Sequence, residues 1–339
     1  MNRVAIYGCG AMGTVLGAFL AREGVDVDLV DVYREHVEKL NECGARLVGF
    51  EDFTQPVKAL TPDQAQGVYD LVILFTKQTA NAAAFAEIDR VVDENSTILT
   101  LQNGFPEPEV ARHFGEDRTL GGAVQWGATF VGPGISEVTE PLSAKPVLFE
   151  IGTLSGEATD RVTRAAEVLR RMGPTAITPN LISSRWSKLL LNACMSGMSA
   201  ALCSDFGGVI DSPKALRQLG LMSVEIGAVC HAAGSSFEKI GDFDVDAVLR
   251  NPGPQTTPTM SYAFSAGYAN MRTAKASMLQ DLEKGKPTEV DMIDGYVATE
   301  GRRLGVPTPV VDRVVEVVHG IEQGRYPMSF DENLALFAD

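Results

Sequence analysis

Basic residues are in the minority: 29 Lys and Arg stand against 44 Asp and Glu, a formal net charge of -15. Nucleic-acid phosphates would be repelled by such a chain, so nucleic acid is not expected as a partner. Cysteines are few and odd in number: Cys9, Cys43, Cys194, Cys203 and Cys230. None forms a CxxC pair or a Cys/His cluster, which argues against disulfides and zinc and for buried, reduced thiols. No metal site is expected. The histidines are His36, His113, His231 and His319, none with an orienting partner nearby in sequence. No GxSxG elbow is present, so a Ser/His/Asp hydrolase has no support. Long hydrophobic runs are also missing. The longest, over 189–202, is interrupted by Asn192, Ser196 and Gly197, too short and too polar to span a bilayer. Met1-Asn2-Arg3 leads straight into Val4-Ala5-Ile6-Tyr7 without the layout of a signal peptide. A cytoplasmic, non-membrane protein is expected.

What is present suits an ordinary globular chain, with 45% hydrophobic and 22% charged residues. Its 339 residues suit two domains. Val4–Tyr7 is a short apolar run that ends at glycine, and residues 14–23 carry Val15, Leu16, Phe19 and Leu20 at helical spacing. Residues 25–32 alternate like a half-buried strand, and apolar runs follow at 71–75, 98–101, 121–126 and 147–151. Strands alternating with helices predict a mainly parallel sheet. After Pro179 the pattern becomes helical. Ser183 or Ser184 is placed to cap a helix running to about 202, and further helices are predicted over 213–233, 260–283, 289–304 and 309–323. The expected fold class is therefore α/β, with an alternating strand–helix domain over 1–180 and an all-α domain over 181–339. The cleft between them is the default active site. The apolar helix within 219–233 reads as either core or the face of a homodimer.

Gly8-Cys9-Gly10-Ala11-Met12-Gly13 follows the first strand and opens the first helix. A dinucleotide needs glycine at these spacings: Gly8 for a tight turn, Gly10 for close approach of the pyrophosphate, and Gly13 for close packing of helix on strand. Asp31 falls at the end of the second strand, where a carboxylate accepts from ribose hydroxyls and repels a 2′-phosphate. NAD(H) is therefore expected over NADP(H). A merely solvated strand-end carboxylate is the plain alternative, and Arg34, three residues on, can hold a 2′-phosphate instead.

Reduction of a carbonyl requires a proton donor and a means of orienting the substrate over the nicotinamide. Lys188, Asn192 and Ser196 are spaced four apart on an otherwise apolar helix and are predicted to share a face. A helix-terminal lysine in solvent is the alternative. A second cluster holds Ser277 and, after Gly285, Glu289. A carboxylate in a first helical turn often serves only the helix dipole.

Together these segments resemble the ketopantoate reductase (2-dehydropantoate 2-reductase) family over nearly the full length. The resemblance rests on the glycine motif, on Thr76-Lys77-Gln78 and on Gln102-Asn103-Gly104. It continues through Trp186-Ser187-Lys188-Leu189 with Asn192, Ser277-Met278-Leu279-Gln280-Asp281 and Thr288-Glu289-Val290-Asp291. It implies a Rossmann-type domain followed by a helical domain of the 6-phosphogluconate dehydrogenase type, acting on a small 2-oxo acid. It implies that Lys188 is the general acid, with Glu289 close enough to influence it. Asn103, Asn192, Ser196 and Ser277 fall at substrate positions. Gly8, Cys9, Gly10, Ala11, Met12, Gly13, Asp31, Lys77, Asn103, Ala128 and Glu289 fall on the cofactor side, Ala128 through its backbone. Two departures stand out. Ser196 and, ten residues later, Phe206 occupy positions where the family often has asparagine. Losing two amides weakens discrimination for hydroxyls and points to a bulkier substrate as an alternative, an NAD-dependent D-2-hydroxyacid dehydrogenase acting on aromatic or branched 2-oxo acids. A non-catalytic NAD-sensing protein is the remaining alternative.

Overall fold

The computed structural model describes residues 3–338. The chain forms two compact units that part between Leu181 and Ile182. The first holds strands β1 (Arg3–Tyr7), β2 (Asp26–Val30), β3 (Ala45–Gly49), β4 (Phe53–Gln55), β5 (Lys58–Leu60), β6 (Leu71–Leu74), β7 (Thr97–Thr100), β8 (Thr119–Val124), β9 (Ala128–Gly132), β10 (Ile135–Val138), β11 (Phe149–Thr153) and β12 (Thr175–Ile177). Its helices are α1 (Ala11–Arg22), α2 (Arg34–Cys43), α3 (Asn81–Ile88), α4 (Glu107–Phe114) and α5 (Asp160–Leu169).

The main sheet has eight strands in the order β12-β11-β8-β7-β6-β1-β2-β5. Every neighbour in it is parallel except the β11–β8 pair. The central strands are buried on both faces, which is why they read as continuous apolar runs. Side chains of β1 alternate between two cores. Val4 and Ile6 enter one with Leu16, Leu20 and Leu29. Ala5 and Tyr7 enter the other with Val72, Leu74 and Phe85.

A second sheet, β4-β3-β10-β9, was not foreseen. Its strands are short and half-buried, so they lack both a long apolar run and clean alternation. It joins β3 to β10 across nearly ninety intervening residues, Arg46 standing opposite Ile135. The strands that were foreseen shift by at most two residues at either end, as element boundaries commonly do.

The second unit is helical: α6 (Leu181–Leu191), a π-helical segment (Asn192–Gly197), α7 (Met198–Ala201), α8 (Phe206–Asp211), α9 (Pro213–Ala232), α10 (Val245–Arg250), α11 (Thr256–Gly267), α12 (Ser277–Glu283), α13 (Val290–Leu304), α14 (Pro309–Glu322) and α15 (Phe330–Leu334). Three expectations are corrected here. The helix over 183–202 begins earlier, at Leu181, so Ser183 and Ser184 lie inside it rather than capping it. Its middle is π-helical, not α-helical. The predicted helix over 260–283 is two helices, parted by a turn at Ala269–Met271 and by extended Ala276. The expectation of buried thiols holds for Cys9, Cys194 and Cys230, but Cys43, the last residue of α2, is exposed and Cys203 is half-buried. Among the described residues no helix is long and apolar enough to cross a membrane.

Candidate active site

The glycine turn lies at the carboxyl end of β1, between β2 and β6, where the order of the parallel strands changes direction. Open α/β sheets bind ligands at such a point. Gly8 has φ +95°, and a Cβ there would fall on the backbone nitrogen of Thr76. Only glycine allows both the turn and this approach of the β6 loop. A Cβ on Gly13 would collide with the Gly8 carbonyl and come within 3.3 Å of Ile6 Cγ2, so Gly13 sets how closely α1 packs on β1. Gly10 differs: a Cβ there would meet nothing within 4 Å. It is the N-cap of α1 and offers no side-chain cap, so the backbone amides of Ala11 and Met12 open that helix. Open space above uncapped helical amides fits a phosphate-bearing dinucleotide.

Asp31 stands just past the end of β2, and both of its oxygens are engaged. Oδ2 accepts from the Cys9 amide at 2.7 Å and Oδ1 from the Tyr33 amide at 2.9 Å. A carboxylate has about four acceptor sites, so capacity remains for ribose hydroxyls. The carboxylate thus also braces the glycine turn, a role that its position alone did not suggest.

Lys77 and Asn103 sit in the loops that follow β6 and β7, on the same carboxyl edge. Both are half-buried. Side-chain amides knit these loops together. Gln78 Nε2 donates to the Asn103 carbonyl at 2.5 Å. Gln102 Nε2 donates to the Thr76 carbonyl at 2.9 Å and to Asn81 Oδ1 at 2.8 Å. Ala128 is elsewhere, at the start of β9 in the second sheet, where it pairs with Val138 and packs against the core that also holds Leu16 and Leu20 of α1.

In the helical unit, Lys188 lies in the last turn of α6 and is half-buried, with Arg185, itself buried, one turn earlier. Burial, and then the Arg185 guanidinium, lower the Lys188 ammonium from its ordinary value to about 7. Asn192 opens the π-helical segment and Ser196 lies within it, both half-buried. A π-turn advances each residue less around the axis than an α-turn, so Ser196 lags the α-helical stripe on which Lys188 and Asn192 were predicted. Single π-turns recur at functional sites. α12 and α13 both pack against this segment. They bring Ser277, the exposed first residue of α12, and Glu289, the buried N-cap of α13, to the same region of the unit.

Phe206 is buried with its ring edge-on to Tyr268, centroids 5.1 Å apart, and Tyr268 stacks on Phe264 at 6.2 Å. Burial raises the Tyr268 phenol, and the Cys194 thiol of the π-segment acts on it in the same direction.

Sequence reading found no partners for the histidines; the folded chain supplies one for each. His36 meets the Cys9 carbonyl, His113 meets Asp89, His231 meets Asp246, and His319 meets Asp291 and Glu322. Among the described residues there is no group of three or more His, Cys, Asp or Glu placed to hold a metal ion.

A mainly parallel sheet with a glycine turn at its switch point, followed by a helical unit with a half-buried lysine, defines a dinucleotide-dependent oxidoreductase of the Rossmann type. Two family models narrow the class: Ketopantoate reductase PanE/ApbA matches residues 4–145, and Ketopantoate reductase PanE/ApbA C terminal matches residues 180–322. The chain belongs to the ketopantoate reductase family, and it is a nicotinamide-dinucleotide-dependent oxidoreductase. Similar proteins include the 2-dehydropantoate 2-reductase of Mesorhizobium japonicum, 28% identical with 96% of this chain and 99% of that one covered. The enzyme of the same name from Lactococcus lactis is 27% identical, covering 95% and 98%. Among solved structures, 2-dehydropantoate 2-reductase from Geobacter metallireducens superposes with TM-score 0.79 at 26% identity, covering 94% and 99%. A D-mandelate dehydrogenase complex with NADH and anilino(oxo)acetate superposes with TM-score 0.80 at 23% identity, covering 95% and 99%, a likeness of fold.

Proposed function

We propose that this protein reduces the carbonyl of a 2-oxo acid to a 2-hydroxy acid, 2-dehydropantoate to pantoate, with NADH as the preferred cofactor. Residues 1–180 serve the cofactor and residues 181–339 the substrate. When bound, the nicotinamide supplies a hydride to the carbonyl carbon. Lys188 holds the proton that goes to the carbonyl oxygen. The observation that carries this reading is the place of Lys188, half-buried in the last turn of α6 one turn after buried Arg185, surroundings that bring its ammonium down to about 7. A donor titrating near neutrality both holds its proton and releases it readily. Glu289, buried at the start of α13, influences that lysine and accepts from the cofactor. Asn192, Ser196, Ser277 and Asn103 orient the substrate by hydrogen bonds, and Lys77 and the backbone of Ala128 serve the cofactor. The preference for NADH rests on Asp31, whose charge opposes a 2′-phosphate while its oxygens still have room for ribose hydroxyls.

A second reading has its own support. Ser196 is short, and the helical unit carries an edge-on aromatic pair of Phe206 and Tyr268, Phe206 standing where the family often has asparagine. An apolar wall suits an aromatic or branched 2-oxo acid better than a hydroxylated one. A panel of 2-oxo acids assayed with NADH and with NADPH separates the readings. Turnover of 2-dehydropantoate with the higher kcat/KM and with NADH is expected. Brisk turnover of phenyl- or branched 2-oxo acids with none of 2-dehydropantoate selects the second reading. A clear preference for NADPH overturns the role given to Asp31.

A further inference from the structure

We infer that His36 is a positioning residue for the cofactor: it clamps the Cys9–Gly10 peptide so that the Gly10 amide faces the side on which the dinucleotide diphosphate binds. This deepens the reading above and rests on it.

His36 is buried in the third position of α2. Its two ring nitrogens have distinct partners. The Gly134 amide, in the turn between β9 and β10, donates to Nδ1 at 2.9 Å. A backbone amide can only donate, so Nδ1 carries the lone pair and the proton is on Nε2. Nε2–H donates to the Cys9 carbonyl at 2.6 Å. The Thr14 hydroxyl of α1 donates to the same carbonyl at 2.6 Å and lies 3.1 Å from Nε2. On the other side of the residue the Cys9 amide is held by Asp31. Both peptide planes of Cys9 are therefore pinned by side chains from outside the turn.

The consequence follows from the planar trans peptide, in which C=O and N–H point in opposite directions. With the Cys9 carbonyl drawn toward His36, the Gly10 N–H is turned the other way. Gly10 is exposed and has open space beside it. An amide fixed in advance at an anion site loses no rotational freedom when the ligand arrives, so its hydrogen bond contributes more to affinity.

The clamp requires the neutral ring. A second proton, on Nδ1, would set two donors against each other at the Gly134 contact. Burial lowers the His36 titration below its ordinary value, while the Cys9 carbonyl and then Asp31 pull it upward. The groups facing the ring are the Cys9 carbonyl, Asp31, the Tyr33 ring (centroids 6.3 Å apart, stacked), the Thr14 hydroxyl, and Phe130 with the Gly134 amide of the β9–β10 turn.

The test is NAD+ affinity by titration calorimetry between about pH 5 and 8 for the unaltered protein, His36→Gln and His36→Asn, since the oxidised cofactor survives acid. Glutamine places its amide nitrogen near Nε2 and keeps the donor to the Cys9 carbonyl. Asparagine places an oxygen near Nδ1 and keeps only the Gly134 contact. For the unaltered protein Kd is expected to be flat near neutrality and to rise as acid protonates His36, while for His36→Gln the ratio to it changes with pH because the glutamine does not titrate. Every other group of the site is common to both proteins, so its effect cancels in that ratio. At pH 8, His36→Asn is expected to bind about tenfold more weakly, the effect of one lost hydrogen bond, and His36→Gln within about threefold of the unaltered protein. In the reductive direction kcat at saturating NADH stays near that of the unaltered protein in both variants while KM for NADH rises in His36→Asn. Equal affinities for the two variants, or a pH-independent ratio between His36→Gln and the unaltered protein, overturns the inference and leaves the functional reading standing. Failure of the unaltered protein to bind either NAD+ or NADP+ overturns both.

Discussion

The pH dependence of turnover follows from Lys188. Its ammonium is lowered to about 7, and as the proposed proton donor it must be protonated for carbonyl reduction. A lysine with a lowered pKa is charged below that value and neutral above it, so the reductive rate falls as pH rises through about 7. At about pH 6 the lysine is roughly 91% protonated and at about pH 8 roughly 9%, so kcat/KM for the 2-oxo acid should drop about tenfold between them, and a further tenfold per unit above. The dependence belongs to kcat/KM because that constant reports the free enzyme; a bound carboxylate substrate favours the ammonium and shifts the kcat limb to higher pH. Oxidation of the 2-hydroxy acid needs the neutral amine and should rise through the same value. The assay is initial-rate oxidation of NADH at subsaturating 2-oxo acid in a constant-ionic-strength buffer series. Lys188→Arg serves as the control, since a guanidinium keeps its proton throughout: the limb near 7 should vanish at whatever residual rate remains. A reductive kcat/KM that rises with pH, or whose limb stays near 7 in Lys188→Arg, would refute the assignment of that limb to Lys188.

Two further outcomes test the packing around the site. Asp294 of α13 is fully buried, its carboxylate oxygens have no side-chain partner, and a Cβ on Gly197 of the π-segment would collide with it. Burial raises its titration well above the ordinary value, so the charged form is disfavoured in the fold and stability declines as pH rises above the unfolded value, by about 1.4 kcal/mol per unit until the folded value is reached. Asp294→Asn should thus match the unaltered protein near pH 4 and exceed it in Tm by several degrees at pH 8, at about 2–4 °C per kcal/mol, as read by thermal unfolding; a constant difference across that range would count against it. The glycines of the turn should separate binding from folding. Gly10→Ala has open space and should fold normally while weakening NADH binding about tenfold or more. Gly13→Ala places a methyl against the Gly8 carbonyl and should lower stability by about 1–3 kcal/mol in chemical denaturation.

The glycine turn was legible because each of its positions answers a separate steric demand, and two of those demands, at Gly8 and Gly13, are met in the fold. The helical pattern around Lys188 was legible too, since its apolar spacing is periodic. The π-segment was not, because an i to i+5 turn leaves the residue types of an α-helix unchanged and shows only in where Ser196 ends up. Asp294 reads in sequence as one more acid on an amphipathic helix, and only packing against Gly197 reveals it as buried. His36 had no visible partner because one of them, Gly134, is 98 residues away and belongs to a sheet whose strands are too short to announce themselves.

The proposed delivery of the proton by Lys188 in 2-oxo acid reduction is open to test through Lys188→Ala, with kcat for 2-dehydropantoate and Kd for NADH determined on the same preparation. If Lys188 is the proton donor, kcat falls by about 10²–10⁴-fold while Kd for NADH stays within a few-fold of the unaltered protein. A kcat close to that of the unaltered protein would remove Lys188 from the mechanism.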